Sequence, residues 1–289
     1  KKSGIPKGTS LWSLPGKVGG FRGKEKLRIE KVRFSFPLNS LTAFQKLTPP
    51  KSWEIFCIFH HFLKMIKEKE VIFNYVYKPI IEDYDNQGNY KLGAILKAFG
   101  NAGSAHSDAS GDNVIQGSNT GKGWVLLDWK LEVIEAPKMG EDLKVDTWIE
   151  PLRSPFGTIR SFLGYAGDKL CVKGITKWVL LDLTTGRPTK IPEELINSYT
   201  VNEGSAFEGS KIEKIAEPEN YTSETEILVR RSDIDWNNHV HNLTYLDYAI
   251  DCLPEEIYTT KKFNKLRITF KTAIFGREKI TGKYGTTEN

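Results

Sequence analysis

The stretch Arg231-Ser-Asp-Ile-Asp-Trp-Asn-Asn-His-Val-His-Asn-Leu-Thr-Tyr245, running on to Asp251, decides how this chain is read. It sets Asp235, Asn237 and His239 at alternate positions just before an apolar series at Leu243, Leu246, Ala249 and Ile250. Steps of three and four residues are those of a helix face packed on a core. The polar trio is therefore expected where strand gives way to helix. Unpaired N–H groups and the positive end of the helix dipole gather at such a junction. Asp, Asn and His supply an acceptor, an amide donor and a group that titrates near neutrality. That set suits a centre that polarises a carbonyl. A plainer reading stands beside it, with Asp235 and Asn237 as turn and capping residues and His239 as a satisfied first-turn residue.

The pattern occurs twice. Shifted by 150 positions, Asp83 and Asp85 fall on Asp233 and Asp235, Gln87 on Asn237, Asn89 on His239, and Leu96 on Leu246. Such self-similarity points to a duplicated unit. Only the later copy carries a titratable side chain at the last position, so chemistry is expected there and the apolar part of a substrate in the earlier copy.

Around the first copy, Val71 to Ile81 reads as a strand, and Leu92, Ile95, Leu96 and Phe99 trace a helical stripe. Gly100 to Gly123 is small and polar, the composition of a loop. From Trp124 to Glu135 apolar and charged residues alternate, as in a half-buried antiparallel strand. Leu143 to Ile149, Thr158 to Tyr165 and Leu170 to Leu183 continue the series, with Ala166-Gly167-Asp168 as a hairpin turn. One strand, one long helix and then several antiparallel strands wrap a curved sheet around a helix. Asn202 to Tyr221 is charged and broken by Gly and Pro, a linker. The order then restarts, with a strand at Glu226 to Arg231, the motif turn, a helix at Leu243 to Leu253, and strands within Asn264 to Phe275 and at Lys279 to Tyr284. This second unit is shorter than the first and lacks the strands that would close its sheet, so Asn289 reads as a truncation point.

The net charge of +5 is unevenly spread. Residues 1–70 hold 15 of the 41 Lys/Arg and 5 of the 36 Asp/Glu, leaving 26 basic against 31 acidic side chains over the rest, a net of −5. A nucleic-acid partner would need a basic surface on the folded part, so none is expected. The basic segment reads as a leader, as an arm for anionic partners, or as upstream sequence outside the working protein. In each case it is kept out of the fold. No apolar run approaches the ~20 residues of a membrane-spanning helix, so no stable membrane insertion is expected. Cys57, Cys171 and Cys252 lie far apart without metal-ligand spacing. No metal or cofactor is expected.

These residues resemble the acyl-ACP thioesterases, the two-hotdog enzymes of bacteria and plant plastids. The likeness runs from about Val71 to the C-terminus. Its motifs are Trp124-Val-Leu-Leu127, Pro137 with Gly140-Glu141, Thr147-Trp148, Arg160-Ser-Phe162, Trp178-Val-Leu-Leu-Asp182, Arg187-Pro188, Ile191-Pro192 and Arg230 to Val240 with Asn242. The resemblance implies an α+β chain of two tandem hotdogs, each a curved antiparallel sheet around a central helix. The divisions expected are a basic extension over 1–70, a first, acyl-binding hotdog over 71–200, a linker over 201–221, and a partial second hotdog with the catalytic motif over 222–289. It also implies hydrolysis of the thioester joining a fatty acyl chain to acyl carrier protein, which ends fatty acid synthesis. The family's Asp-x-Asn-x-His motif falls on Asp235, Asn237 and His239. The place of work would be the cytoplasm, or the plastid stroma in a plant, and a homodimer is compatible. Basic side chains at Arg230, Arg231, Lys261, Lys262 and Lys265 are candidates to meet the acidic carrier.

One departure matters. The family places an acidic residue, often Glu, on the strand after the second helix, where this chain has Phe270-Lys-Thr-Ala273. It motivates one alternative, a catalytically impaired protein that binds acyl chains or carrier protein; a separate alternative is a hotdog thioesterase acting on acyl-CoA.

Overall fold

Alternation of apolar and polar residues becomes a sheet in the computed structural model, which describes residues 72–113, 120–199 and 201–287. The expectations for residues 1–70 and for the chain's end at Asn289 lie outside the described residues. Strands β1 (Phe73–Tyr77), β2 (Lys122–Val133), β3 (Leu143–Ile149), β4 (Gly157–Ala166) and β5 (Lys169–Asp182) pair antiparallel in the order β1-β3-β4-β5-β2. The short β6 (Arg187–Pro188) pairs with β5. In β2 the period-two rule sends Trp129, Leu131 and Val133 inward, where all three are buried.

Helix α1 (Leu92–Ala109) lies in the hollow of this sheet. Its face of Ile95, Leu96, Ala98, Phe99 and Ala102 is completely buried among Leu131, Leu143, Val145, Phe162 and Val172. Phe99 and Phe162 stack at 4.9 Å, and Trp129 lies 5.6 Å beyond. Gly174 makes room for this stack, since a Cβ there would meet the Phe99 ring at 2.6 Å.

The sequence places a loop from Gly100, yet α1 runs two and a half turns further. Gly100, Gly103 and Ser104 are weak helix formers, but burial of Ala102 and His106 overrides that propensity.

The second unit is built around α3 (Thr244–Asp251), after a short α2 (Glu193–Asn197). Strands β7 (Ser223–Leu228) and β9 (Lys279–Tyr284) form an antiparallel ribbon. Strand β8 (Lys265–Thr269) instead joins the first sheet beside β2, with Trp129 opposite Ile268 and Leu131 opposite Leu266. The hotdog units are thus seamed edge to edge. Helix α3 serves both sides of the seam. Leu243, Leu246 and Ile250 pack on the first unit's core, while Tyr245 and Tyr248 pack with Val229, Val240, Ile274 and Ile280. Ala249, expected on the apolar stripe, is exposed. Pro254 ends this helical run, and α4 (Glu255–Thr260) follows.

The linker is tied down across the outer face of the sheet. Trp148 Nε1 donates to the Gly204 carbonyl at 2.7 Å, and the Ala206 amide to Ser161 Oγ at 3.0 Å. Ser161 in turn donates to the buried Glu150 carboxylate at 2.7 Å. Phe207 and Ile212 cover Ile159, Leu163 and Ile175.

Candidate active site

The trio Asp235, Asn237 and His239 lies in one tight loop between β7 and α3. Asp235 is the residue that shapes it. Its Oδ1 accepts from the amides of Asn237 at 2.8 Å and His239 at 3.3 Å, while its own amide donates to the His239 carbonyl at 2.8 Å. An Asp side chain in this position mimics a backbone turn. The turn closes through Asn238, whose amide donates to the Asp235 carbonyl at 3.0 Å and whose φ is +60°. Asn tolerates that left-handed conformation better than other residues with a side chain.

A second carboxylate anchors the loop from below. Asp233 is buried and accepts from the Arg230 amide at 2.8 Å, the Arg230 guanidinium at 2.9 Å and the Tyr248 hydroxyl at 2.7 Å. Burial alone would raise this carboxyl, but Arg230 and Tyr248 outweigh it and hold the group below the ordinary carboxylate range. Burial and the same carboxylate push the Tyr248 hydroxyl upward. The loop therefore rests on an ionised group within the second unit's core.

His239 is half-buried, its ring edge-on to Phe275 at 4.5 Å, and its backbone forms a bridge with Phe275. The Val240 amide donates to the Ile274 carbonyl at 2.9 Å, and the Ile274 amide to Tyr245 Oη at 3.0 Å. These contacts draw the segment after β8 against the motif, so Ala273 stands two residues from the ring that packs on His239. The sequence alone gave no signal for Phe275 or Tyr245, because both act through the return of a distant strand.

The donors open to a ligand can be narrowed. The amides of Asn237, Asn238, His239, Val240 and His241 hold Asp235 Oδ1, the Asp235 carbonyl, Asp235 Oδ1, the Ile274 carbonyl and the Asp233 carbonyl respectively. Helix α3 itself starts only at Thr244, five residues beyond His239. The expected cluster of helix N-terminal donors thus lies further along the chain than the sequence suggested. At the motif, the Asn237 and His239 side chains are both half-buried. Among the described residues no group of three or more His, Cys, Asp or Glu is disposed to hold a metal, and no helix is long and apolar enough to cross a membrane.

A separate buried polar cluster sits at the end of α1, around His106. Its Nδ1 lies 2.7 Å from the buried Arg160 guanidinium, which also donates to Ser107 Oγ at 3.3 Å. Tyr199 packs against both and donates to Asp112 Oδ2 at 2.6 Å, which also accepts from Trp124 Nε1 at 2.8 Å. Burial first, and the Arg160 charge second, depress the His106 ring to about 4.

Comparison with known proteins joins these observations. Residues 70–199 match the acyl-ACP thioesterase N-terminal domain, and residues 216–286 match the acyl-ACP thioesterase C-terminal domain. A chloroplastic oleoyl-acyl carrier protein thioesterase of Arabidopsis thaliana is 24% identical over 160 residues, covering 51% of this chain and 44% of that protein. A chloroplastic palmitoyl-acyl carrier protein thioesterase of the same plant is 27% identical over 165 residues, covering 54% and 39%. The matched segment thus spans under half the length of these relatives. Among solved structures, the 12:0-ACP thioesterase from Umbellularia californica superposes with a TM-score of 0.66 at 17% identity, covering 73% of this chain and 86% of that one. An acyl-ACP thioesterase from Bacteroides thetaiotaomicron gives 0.62 at 22% identity, covering 72% and 84%. At such identities the likeness establishes the shared hotdog fold.

Proposed function

The chain belongs to the acyl-ACP thioesterase family, and on that premise we propose that it hydrolyses the thioester between a fatty acyl chain and acyl carrier protein. Water adds to the carbonyl carbon, the carbon–sulfur bond breaks, and free fatty acid and the carrier thiol are released. Asp235, Asn237 and His239 carry the reaction. Negative charge grows on the carbonyl oxygen, and a preorganised donor lowers the barrier most effectively there. With the loop's backbone amides already engaged, the Asn237 side-chain amide takes that role. The His239 imidazole removes a proton from the attacking water and returns one to the departing sulfur. Asp235 positions both by fixing the loop, so it is a positioning residue.

The acyl chain extends into the first hotdog, because the apolar face of α3 and the core around Phe99 form one continuous cluster. The reaction takes place in an aqueous compartment where carrier protein works, the cytoplasm or, in a plant, the plastid stroma. Arg231, Lys261 and Lys262 are exposed and can meet an acidic carrier, whereas the Arg230 guanidinium is already committed to Asp233.

The observation that carries this reading is the motif loop itself, present twice in one chain but armed with imidazole only once. The full chain, purified and given acyl-ACP, is expected to release free fatty acid. No release from acyl-ACP of any chain length by the natural protein would overturn it.

A second reading, an acyl- or carrier-binding protein with weak catalysis, is favoured by one specific observation. Ala273 is exposed beside the segment that packs on His239, where the resemblance leads one to expect a carboxylate. Ala273→Glu discriminates. A rise in kcat of tenfold or more supports a silenced site, and an unchanged rate supports catalysis by the trio alone.

A further inference from the structure

Where the linker crosses the seam between β2 and β8, it leaves a groove of about 400 Å³ on the outer face of the sheet, away from the motif loop's core contacts. That volume falls within the roughly 300–1,000 Å³ of small-molecule sites. The strand register explains its charge. Trp129 and Leu131 point into the core, so Lys130 points outward, and its cross-strand partner is Arg267. Two like charges directly opposed on one face are ordinarily unfavourable. Lys214 from the linker and Lys265 from β8 line the same groove.

The opposing charges are too few to balance these. Arg267 pairs with Asp128 at 3.0 Å, Lys130 with Glu213 at 3.1 Å, and Glu132 lies 3.5 Å from Lys173. The groove is thus lined by four cations, Lys130, Lys214, Lys265 and Arg267, and two carboxylates, Glu132 and Glu213, a net of +2. Among the described residues, Arg267 Nε is also a buried N–H with no hydrogen-bond partner. Glu213 comes from the linker, and its side chain is 62% exposed. Its own backbone amide and the Lys130 ammonium keep it ionised below the usual carboxylate range. An exposed ion pair of this kind contributes little and is readily exchanged.

We propose that this groove binds a small molecule carrying a phosphate group, with the Glu213 carboxylate as its built-in competitor. Lys130, Lys214 and Lys265 supply the charge-assisted donors that phosphate oxygens require, while Arg267, whose terminal nitrogens donate to Asp128 and to the carbonyls of Trp129, Ile268 and Glu213, adds positive charge. Phe207 and Ile215 form an apolar wall for an organic portion. The site is independent of the thioesterase reading, since its residues take no part in the motif loop.

Calorimetric titration of the full chain with inorganic phosphate and with phenyl phosphate, at ionic strength matched by sodium chloride, tests it. Millimolar or tighter binding of either is expected. An advantage of fivefold or more for phenyl phosphate identifies an organic phosphate as the ligand class, and equal binding identifies free phosphate. Lys214→Gln, at an exposed position where folding is not at stake, is expected to weaken binding at least fivefold, and Lys130→Gln more. Glu213→Gln is expected to tighten it several-fold. Absence of binding by both probes overturns the proposal. So does binding that Lys214→Gln and Lys130→Gln leave within twofold, or a Glu213→Gln variant that binds no tighter than the natural chain.

Discussion

Between Ile80 and Lys91, and again between Arg230 and His241, the chain draws the same pattern of hydrogen bonds 150 residues apart. Asp85 Oδ1 accepts from the amides of Gln87 and Asn89 at 2.8 Å each, as Asp235 does from Asn237 and His239. Asp83 accepts from the Ile80 amide and the Tyr77 hydroxyl, as Asp233 does from the Arg230 amide and the Tyr248 hydroxyl. Even the returning strand is matched: the Tyr90 amide donates to Pro137 and the Val240 amide to Ile274. What differs is the tip. The first loop ends in Asn89, whose side chain accepts from Lys138 Nζ at 2.7 Å. The second ends in His239 against Phe275. The backbone scaffold is therefore a structural device common to both copies, and the proposed chemistry depends on which side chain it presents.

If that division is right, paired substitutions at the tips separate chemistry from scaffold by the largest margin available. His239→Ala is expected to lower kcat for acyl-ACP hydrolysis by about 10²–10⁴, the usual worth of a general base. Asn89→Ala should leave kcat within about twofold while unfolding free energy changes little. A comparable loss of kcat in both variants would break the asymmetry, and unchanged turnover in His239→Ala would remove that ring from the reaction.

The anchors below the tips should behave alike. Asp233→Asn and Asp83→Asn each weaken a buried, charge-assisted network, and each is expected to cost about 2–3 kcal/mol in urea unfolding. Both carboxyls lie below their ordinary values when folded, despite burial. Their contribution is therefore present above the unfolded pKa and lost as pH falls through the folded one. A cost confined to one copy would mean that the two scaffolds are not equivalent.

The helices behind the loops diverge, and pH reports on it. Pro254 ends the second unit's helical run, whereas α1 continues far enough to bury His106 against Arg160. That ring is lowered to about 4 from an ordinary value near 6.5, so between those pH values the unfolded chain binds the extra proton. Stability is accordingly full above pH 6.5 and falls as pH drops towards 4, by about 3 kcal/mol from this group. Urea midpoints at several pH values in this window should show a shallower dependence in His106→Gln, which keeps an acceptor for Arg160. An identical slope in that variant would place the acid sensitivity elsewhere.

How much of this was visible beforehand follows the range of the interactions involved. Strands β3 and β9 and the α3 stripe at Leu243, Leu246 and Ile250 rest on local periodicity, and the sequence locates them closely. The duplicated loops were legible because Asp85 and Asp235 act within four residues of themselves. The last turns of α1 were not, because small residues there become helical only through burial. The His106 cluster was hidden too, since Tyr199 lies 92 residues from Ser107. Nor could any pattern reveal that β8 leaves its own ribbon to join β2, because Lys265 to Thr269 carries the same alternation in either sheet.

The smallest effect lies in the backbone of the turns themselves. Gly88 has a φ of +75° and Asn238 one of +60°, so both copies need a residue that enters the left-handed region. A side chain at position 88 meets no obstacle, for an added Cβ would sit 3.7 Å from Met139 Cβ, an ordinary contact. The penalty there is conformational alone. Gly88→Ala should cost about 1 kcal/mol, and Gly88→Asn, which imports the second copy's solution, less than that. Asn238→Gly should change stability by only a few tenths of a kcal/mol, since glycine relieves the φ penalty in the fold but adds freedom to the unfolded chain. Measured together by urea unfolding, the three variants ask whether the loops are interchangeable as backbones. Equal costs for Ala and Asn at position 88 would show that the Asn side chain brings no relief there. In that case Asn238 is held at positive φ by its surroundings, not by its own preference.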